Sequence, residues 1–426
     1  MSLTNNFILF ILFFFSGLGL VVAGLSKSWT AFLLALCLVV RLVVALALDG
    51  GLKYVFVIDS LTYEYKGWLL AQPWMSVDLF SRLTSGDVGN FNYYEIFLSG
   101  IYSVFGKSPI LGMAANCLIS TLTIWLLSMT YARFFASDGV DAVSERRLNA
   151  RVLVLLGALY PSYLVWSTTT SRDPLYFFCC ALFFLCFLTV FSQRQKTLPL
   201  LRALGVAGAL LGLWLILGIR HYVYYLLLAS ALLPFLFRLL SRSFSWKTIL
   251  LTGGAAVIGI LYLLSFLFPD FAQATLKSLA FQREAFANLR LMDSVAKSSF
   301  GIGTSFTSVT DVLLFLPNAL GHYFLGPFLW EVDSVPQVLA LLEAFAVYLL
   351  IKPTWRGITR TYRRAPFETI TILVFVGIFS FAQCLVISNM GTVFRHRTLP
   401  FLFLLIFTCE GLHEFAKKHL PPVLQA

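Results

Sequence analysis

Val57-Ile58-Asp59-Ser60-Leu61-Thr62-Tyr63-Glu64-Tyr65 is a polar break between long apolar runs, and two carboxylates, Asp59 and Glu64, stand in it. The runs on either side decide what the break is. Of the 426 residues, 59% are hydrophobic and 12% charged, too little polar surface to clothe a soluble globule of this size. Apolar stretches of spanning length recur along the whole chain. The sequence therefore predicts one all-α, polytopic transmembrane helical bundle over residues 1–426, with no segment left for a sizeable soluble domain.

The net charge of +11 is not the footprint of a nucleic-acid binder, because Lys and Arg collect in alternate loops as the positive-inside rule requires. All seven cysteines lie in apolar spans, where a thiol acts as a small hydrophobe, and neither a disulfide framework nor a zinc spacing is visible. The first apolar run lacks the basic start and small-residue cleavage pattern of a signal peptide and reads as a retained span.

Spans are expected at Asn6–Leu25, Trp29–Leu48, Pro109–Tyr131, Val152–Ser167, Pro174–Phe191, Ala203–Ile219, Tyr222–Phe237, Thr248–Phe268, Val335–Ile351, Phe367–Ile387 and Thr398–Leu412, about eleven in all. Lys27 at the first joint places the N-terminus outside, and Lys417 and Lys418 place the C-terminus in the cytoplasm. Two long loops then face outward. The first, residues 49–107, carries a surface helix at Phe91–Phe105, and the second, residues 269–334, holds an apolar segment, Val312–Phe328. Reading that segment as a span would put Lys352, Arg356, Arg360, Arg363 and Arg364 outside, so it is expected to be re-entrant or interfacial, broken at Pro317, Gly321, Gly326 and Pro327.

Cytoplasmic segments hold about 18 of the 31 basic residues, which leaves the outer face nearly neutral and its basic residues without a topogenic explanation. Those outer groups sit at span ends: Asp59 with Tyr63 and Glu64, Arg172 with Asp173, Arg220 with His221, and Arg395-His396-Arg397. An inverting sugar transfer needs a carboxylate to take the acceptor's proton and cationic donors around the departing phosphate. Asp59 fits the first role and the arginines the second. Each also has a plainer reading: Asp59 as a solvated loop acid, Arg172 and Asp173 as an ion pair starting a helix, Arg220 and His221 as turn residues. Two arginines together at an outer span end, Arg395 and Arg397, oppose the topology rule and favour anion binding. Glu95 reads also as a polar-face residue of the surface helix, and His322 as a satisfied histidine. Glu343 within a span and Arg41, snorkelling from the second, read as structural.

At these residues the chain resembles the GT-C superfamily, the multi-pass glycosyltransferases that use polyprenyl-phosphate-linked sugars, and within it the bacterial dolichyl-phosphate-mannose-transferase-like branch of envelope and exopolysaccharide assembly. The resemblance is carried by Asp59-Ser60-Leu61-Thr62-Tyr63; by Asn92-Tyr93-Tyr94 running to Ile101–Gly106 before a span with Asn116; by Tyr160-Pro161-Ser162, Trp166-Ser167 and Arg172-Asp173-Pro174-Leu175; and by Leu316-Pro317, Gly326–Trp330, Asn389–Thr392 and Arg395-His396-Arg397. It implies a GT-C-like fold in the bacterial cytoplasmic membrane with its active site on the extracytoplasmic face. Asp59 would be the base, and Arg395 and Arg397 would meet the donor phosphate, with Arg220 and Arg172 as further phosphate contacts. Tyr63, Glu64, Glu95, Asp173, His221, His322 and His396 would line the substrate. The implied partners are a polyprenyl-phosphate-sugar donor, a glycan, glycolipid or protein acceptor, and membrane lipids. The second acid of many relatives has two candidates here, Glu64 and Glu95, and no metal ligand set is indicated, so arginines would neutralise the phosphate. A lipid-linked oligosaccharide polymerase or ligase, or a glycolipid transporter, are the alternative readings.

Overall fold

The computed structural model describes residues 29–49, 59–72, 92–136, 142–192, 194, 198–240, 262–263, 266–288, 306–332 and 335–419. The expected first span, most of the eighth, and parts of both outer loops lie outside the described residues. Among the described residues every extended regular element is a helix: α1 Trp29–Ala47, α2 Asp59–Leu70, α3 Tyr93–Phe105, α4 Pro109–Thr130, α5 Ala142–Leu159, α6 Pro161–Ser167, α7 Asp173–Phe191, α8 Pro199–Ile219, α9 His221–Leu240, α10 Pro269–Asn288, α11 Val309–Leu325, α12 Val335–Arg364, α13 Pro366–Val386, α14 Met390–His396, α15 Thr398–Gly411 and α16 His413–His419. A π-helical turn, Tyr131–Phe135, extends α4, and a 3-10 turn, Leu329–Glu331, follows α11.

Six of these are long and apolar enough to cross a membrane, or up to eight if each of two bent pairs is one span. One bent pair lies over the expected span Val152–Ser167: α5 and α6 meet at 64° at Tyr160, because Pro161 has no N–H to continue the ladder. The other is α14 and α15, bent by 46° at Arg397. Prolines at the first turns of α4, α6, α7 and α8 set the starts of those helices. Exposed Leu200, Leu204, Leu210, Leu211, Trp214 and Leu217 give α8 an apolar outer face that suits lipid rather than water.

The chain divides into two compact units, one of residues 1–227, 353–368 and 405–426, the other of residues 228–352 and 369–404. In the first, α7 packs on α8 and α4, α2 packs on α3, and α1 packs on α4 and α5. Arg41 does not snorkel; it is fully buried, donates to the Gly157 carbonyl at 3.2 Å and lies 5.1 Å from the Tyr163 ring centre. A second polar knot joins distant parts of this unit. The Glu410 carboxylate accepts from the Tyr131 hydroxyl at 2.6 Å, from Asn149 Nδ2 at 3.2 Å and from Arg364, while His413 bridges Asn149 Oδ1 at 3.0 Å and Glu145 at 3.3 Å.

In the second unit Ala319, Tyr323, Cys384, Ile387, Met390 and Val393 form one core cluster. The helix α11 runs through Pro317 without breaking there, contrary to the expected broken element, and its end falls at Gly326-Pro327. Its 17 residues are fewer than the roughly 20 a perpendicular span takes. Buried Arg283 on α10 donates to the carbonyls of Leu385 at 2.9 Å and of Cys384 and Ile387 at 3.4 Å, satisfying the open end of α13. Burial pulls its guanidinium down to about 10.

The end of α12 crosses α15 at a contact that only glycine allows. A Cβ on Gly357 would overlap the Phe407 carbonyl and one on Gly411 the Pro353 carbonyl, and Thr354 and Thr408 hydroxyls bond at 2.7 Å between them. Replacing Gly357 or Gly411 with Ala is expected to cost about 1–3 kcal/mol by forcing the backbones apart, read as a lower unfolding midpoint in detergent. Gly377→Ala, with open space around it, is the matched control and should not lower it.

Candidate functional site

The site of the first unit grows from α2. Its sequence puts Ser60, Tyr63, Glu64, Gly67 and Leu70 on the buried face, while Asp59 is exposed in the first turn. Gly67 admits Leu98 of α3 at contact distance, and Tyr63 meets Tyr94 edge to face at 5.4 Å. The start of α3 is fixed by a capping box: Asn92 Oδ1 accepts from Tyr94 and Glu95 N–H at 3.0 and 3.1 Å, and Glu95 Oε2 accepts from Asn92 N–H at 3.0 Å. The other Glu95 oxygen lies 3.6 Å from Lys66 Nζ on α2. Burial raises the Glu95 carboxyl above its ordinary range, against the opposing pull of Asn92, Lys66 and Arg172. Buried Glu64 helps push the Tyr94 and Tyr102 phenols up, behind the larger effect of desolvation.

The turn 168–172 between α6 and α7 meets this pair. Thr168, Thr169, Thr170 and Ser171 are all 0% exposed, so their backbone needs partners inside the protein. Asn116 on α4 supplies them: its Nδ2 donates to Thr169 O at 2.7 Å, Ser171 O at 2.9 Å and Tyr94 Oη at 3.0 Å. Arg172 emerges from the turn with its guanidinium 5.9 Å from the Tyr63 ring centre, and it donates to Ile219 O at 3.5 Å. Its half-buried side chain thus stands beside α2 with a weak protein contact. Arg220 is the opposite case. It is buried, paired with Asp173 at 2.8 Å, bonded to the Tyr222 hydroxyl at 2.6 Å and stacked 4.6 Å from the Tyr176 ring centre. His221 is exposed at the start of α9, with its ring 6.4 Å from that of Tyr222.

The structure therefore gathers Tyr63, Glu64, Glu95, Arg172, Asp173 and Arg220 at one end of the first unit, with Asp59 on the exposed start of α2. Arg395, His396, Arg397 and His322 belong to the second unit. Asn389 Oδ1 caps α14 through Gly391 and Thr392 N–H at 3.0 and 3.3 Å, and α14 carries Arg395 and His396, both buried. Arg397 follows it and is fully enclosed: it pairs with Glu343 at 3.0 Å and donates to the carbonyls of Gly326 and, at 3.3 Å, Ala340. His322 Nε2 lies 2.9 Å from Glu331, whose other oxygen accepts from Phe328 N–H at 2.9 Å. The expectation of a satisfied histidine describes that arrangement, and Arg397 is engaged by protein rather than open to an anion.

Three parts of the site were not singled out as site residues from sequence. Lys66 shares a helical face with Asp59 and Tyr63 at the i, i+4, i+7 spacing, a signal present in the sequence once α2 is known to be a helix. Tyr94 and Asn116 stand in motifs that carry the resemblance, but their part in the site comes from tertiary contacts. Among the described residues no three His, Cys, Asp or Glu side chains cluster closely enough to hold a metal ion.

Comparison with known protein families, with curated proteins and with solved structures found no match to this chain.

Removing one partner of the Asp173–Arg220 pair leaves the other charge buried. Asp173→Ala is expected to destabilise the protein by about 3–5 kcal/mol in thermal unfolding, and a double Asp173→Ala, Arg220→Met variant should recover part of that loss.

Proposed function

We propose that the chain is a membrane-embedded inverting glycosyltransferase of GT-C type, with about eleven spans, that moves a sugar from a polyprenyl-phosphate donor to an envelope glycan, lipid or protein acceptor on the extracytoplasmic face. One observation carries the reading. The Arg172 guanidinium lies 5.9 Å from the ring centre of Tyr63, which stands four residues, about one helical turn, after the exposed Asp59 on α2, so an acid and a half-buried cation belong to the same helix end.

The chemistry asks for that pair. The acceptor hydroxyl oxygen bonds to the anomeric carbon as the bond from that carbon to the phosphate oxygen breaks, with inversion. Asp59 takes the hydroxyl proton, and Arg172 meets the charge that grows on the departing polyprenyl phosphate. Arg220, held by Asp173, keeps its charge close behind the turn, and Glu64 and Glu95 serve substrate contacts or the second-acid role.

Asp59→Asn should abolish sugar transfer while leaving the protein inserted and folded. The check is mass spectrometry of polyprenyl-linked and envelope glycans from cells carrying the wild type, the variant or neither. Loss of a single sugar with accumulation of its lipid-linked donor supports the proposal. Full activity in the variant sinks it. Accumulated whole repeat units would replace it with a polymerase, and unchanged glycans would point to transport.

A further inference from the structure

The last turns of α12 have two sides. Thr354, Gly357, Thr361 and Arg364 recur at the spacing of one helical face and turn inward: Gly357 and Thr361 are buried where α12 crosses α15, Thr354 bonds Thr408 at 2.7 Å, and Arg364 pairs with Glu410. The far side carries Trp355, Arg356, Thr359, Arg360 and Arg363, and all five are exposed, Trp355 by 69%. Arg360 reaches the Glu410 carbonyl only at 3.4 Å. No acid stands between Glu343 and Glu368 in the sequence, and those two are engaged elsewhere, Glu343 by Arg397 and Glu368 by Ser192. Nothing on α12 therefore neutralises the row of guanidiniums. Earlier along the same helix, before Lys352, the exposed side chains are apolar, Leu342, Phe345 and Leu349 among them. The surface of α12 thus changes from one suited to acyl chains to one suited to anionic oxygens, with an indole close to the change, as at the polar boundary of a bilayer.

We infer that Trp355, Arg356, Arg360 and Arg363 form a docking surface for the headgroups of anionic phospholipids in the leaflet that this end of α12 meets. Charge complementarity decides the occupant. A row of cations directly after an apolar stretch, with no acid among them, attracts phospholipids of net negative charge over zwitterionic ones. The planar guanidinium forks also present paired donors that fit phosphodiester oxygens. The inference rests on residence in a membrane and does not depend on the transferase reading.

Native mass spectrometry of the full-length protein in detergent, titrated with phosphatidylglycerol or with phosphatidylcholine, tests it. The wild type should bind phosphatidylglycerol more tightly than phosphatidylcholine. Arg356→Gln together with Arg363→Gln should weaken phosphatidylglycerol binding by about fivefold for each arginine removed, with phosphatidylcholine binding unchanged as the sign that the fold is kept. Lys107→Gln together with Lys277→Gln removes the same charge from exposed lysines elsewhere and should leave the preference intact. Equal affinity for the two lipids in the wild type, no loss in the arginine variant, or equal losses in both double variants overturns the inference. So does a dimer that disappears only when the arginines are replaced, which would give this surface to a second copy of the chain.

Discussion

Charge and open backbone buried within an apolar helical chain must be neutralised where they stand, since hydrocarbon offers no solvent to do it. The described residues meet this constraint in two ways. Arg220, Arg364 and Arg397 each take a carboxylate, from Asp173, Glu410 and Glu343. Arg41 and Arg283 take backbone carbonyls, Gly157 for the first and the end of α13 for the second. Arginine suits both tasks because its planar fork presents several donors and is more weakly hydrated than an ammonium. Such pairs give little net stability over an apolar core, but they tolerate no half-removal, so each one fixes the register of the helices it joins.

That accounting separates cations that hold the protein together from cations left for something else. Arg220 and Arg397 look alike in sequence, each at the end of an expected span, yet both are enclosed and engaged by protein. Arg172 is half-buried, makes one long hydrogen bond and faces an aromatic ring, and Glu95 and Lys66 stand nearby. The outer-face arithmetic that raised all of these arginines as anion ligands could not tell them apart. Burial and partners can.

Only part of the local signal in the sequence reads directly. The span starts at Pro109 and Pro174 are expected from the sequence and found, whereas the helix from Asp59, the capping box of Asn92 and Glu95 and the start at Pro199 were not read, although each rests on residues within one turn of each other. The bend at Tyr160 was missed although Pro161 stood in plain view, because hydropathy runs unbroken across it. The close crossing at Gly357 and Gly411, the Glu410 knot and the Arg397–Glu343 pair join residues about 50 to 280 positions apart, and no periodicity announces them. Arg41 was expected to reach for the interface because a lone cation on a span usually does. The Gly157 carbonyl, which it bonds instead, is 116 residues away.

The turn 168–172 shows how the constraint and the candidate site meet. A stretch of irregular backbone with four fully buried hydroxyl residues is unstable unless the surrounding helices answer it. Within the turn, Ser171 N–H bonds Thr169 O at 2.9 Å, and the Thr168, Thr169 and Ser171 hydroxyls fold back on carbonyls of α6. Asn116 takes the Ser171 carbonyl and adds a second hydrogen bond to that of Thr169. The bend at Tyr160 makes α6 short, the short helix delivers the turn inside the bundle rather than beyond it, and one amide on α4 makes that placement stable. Arg172 follows directly after the last of those bonds, so its position beside Tyr63 is set by the backbone and not by a flexible loop.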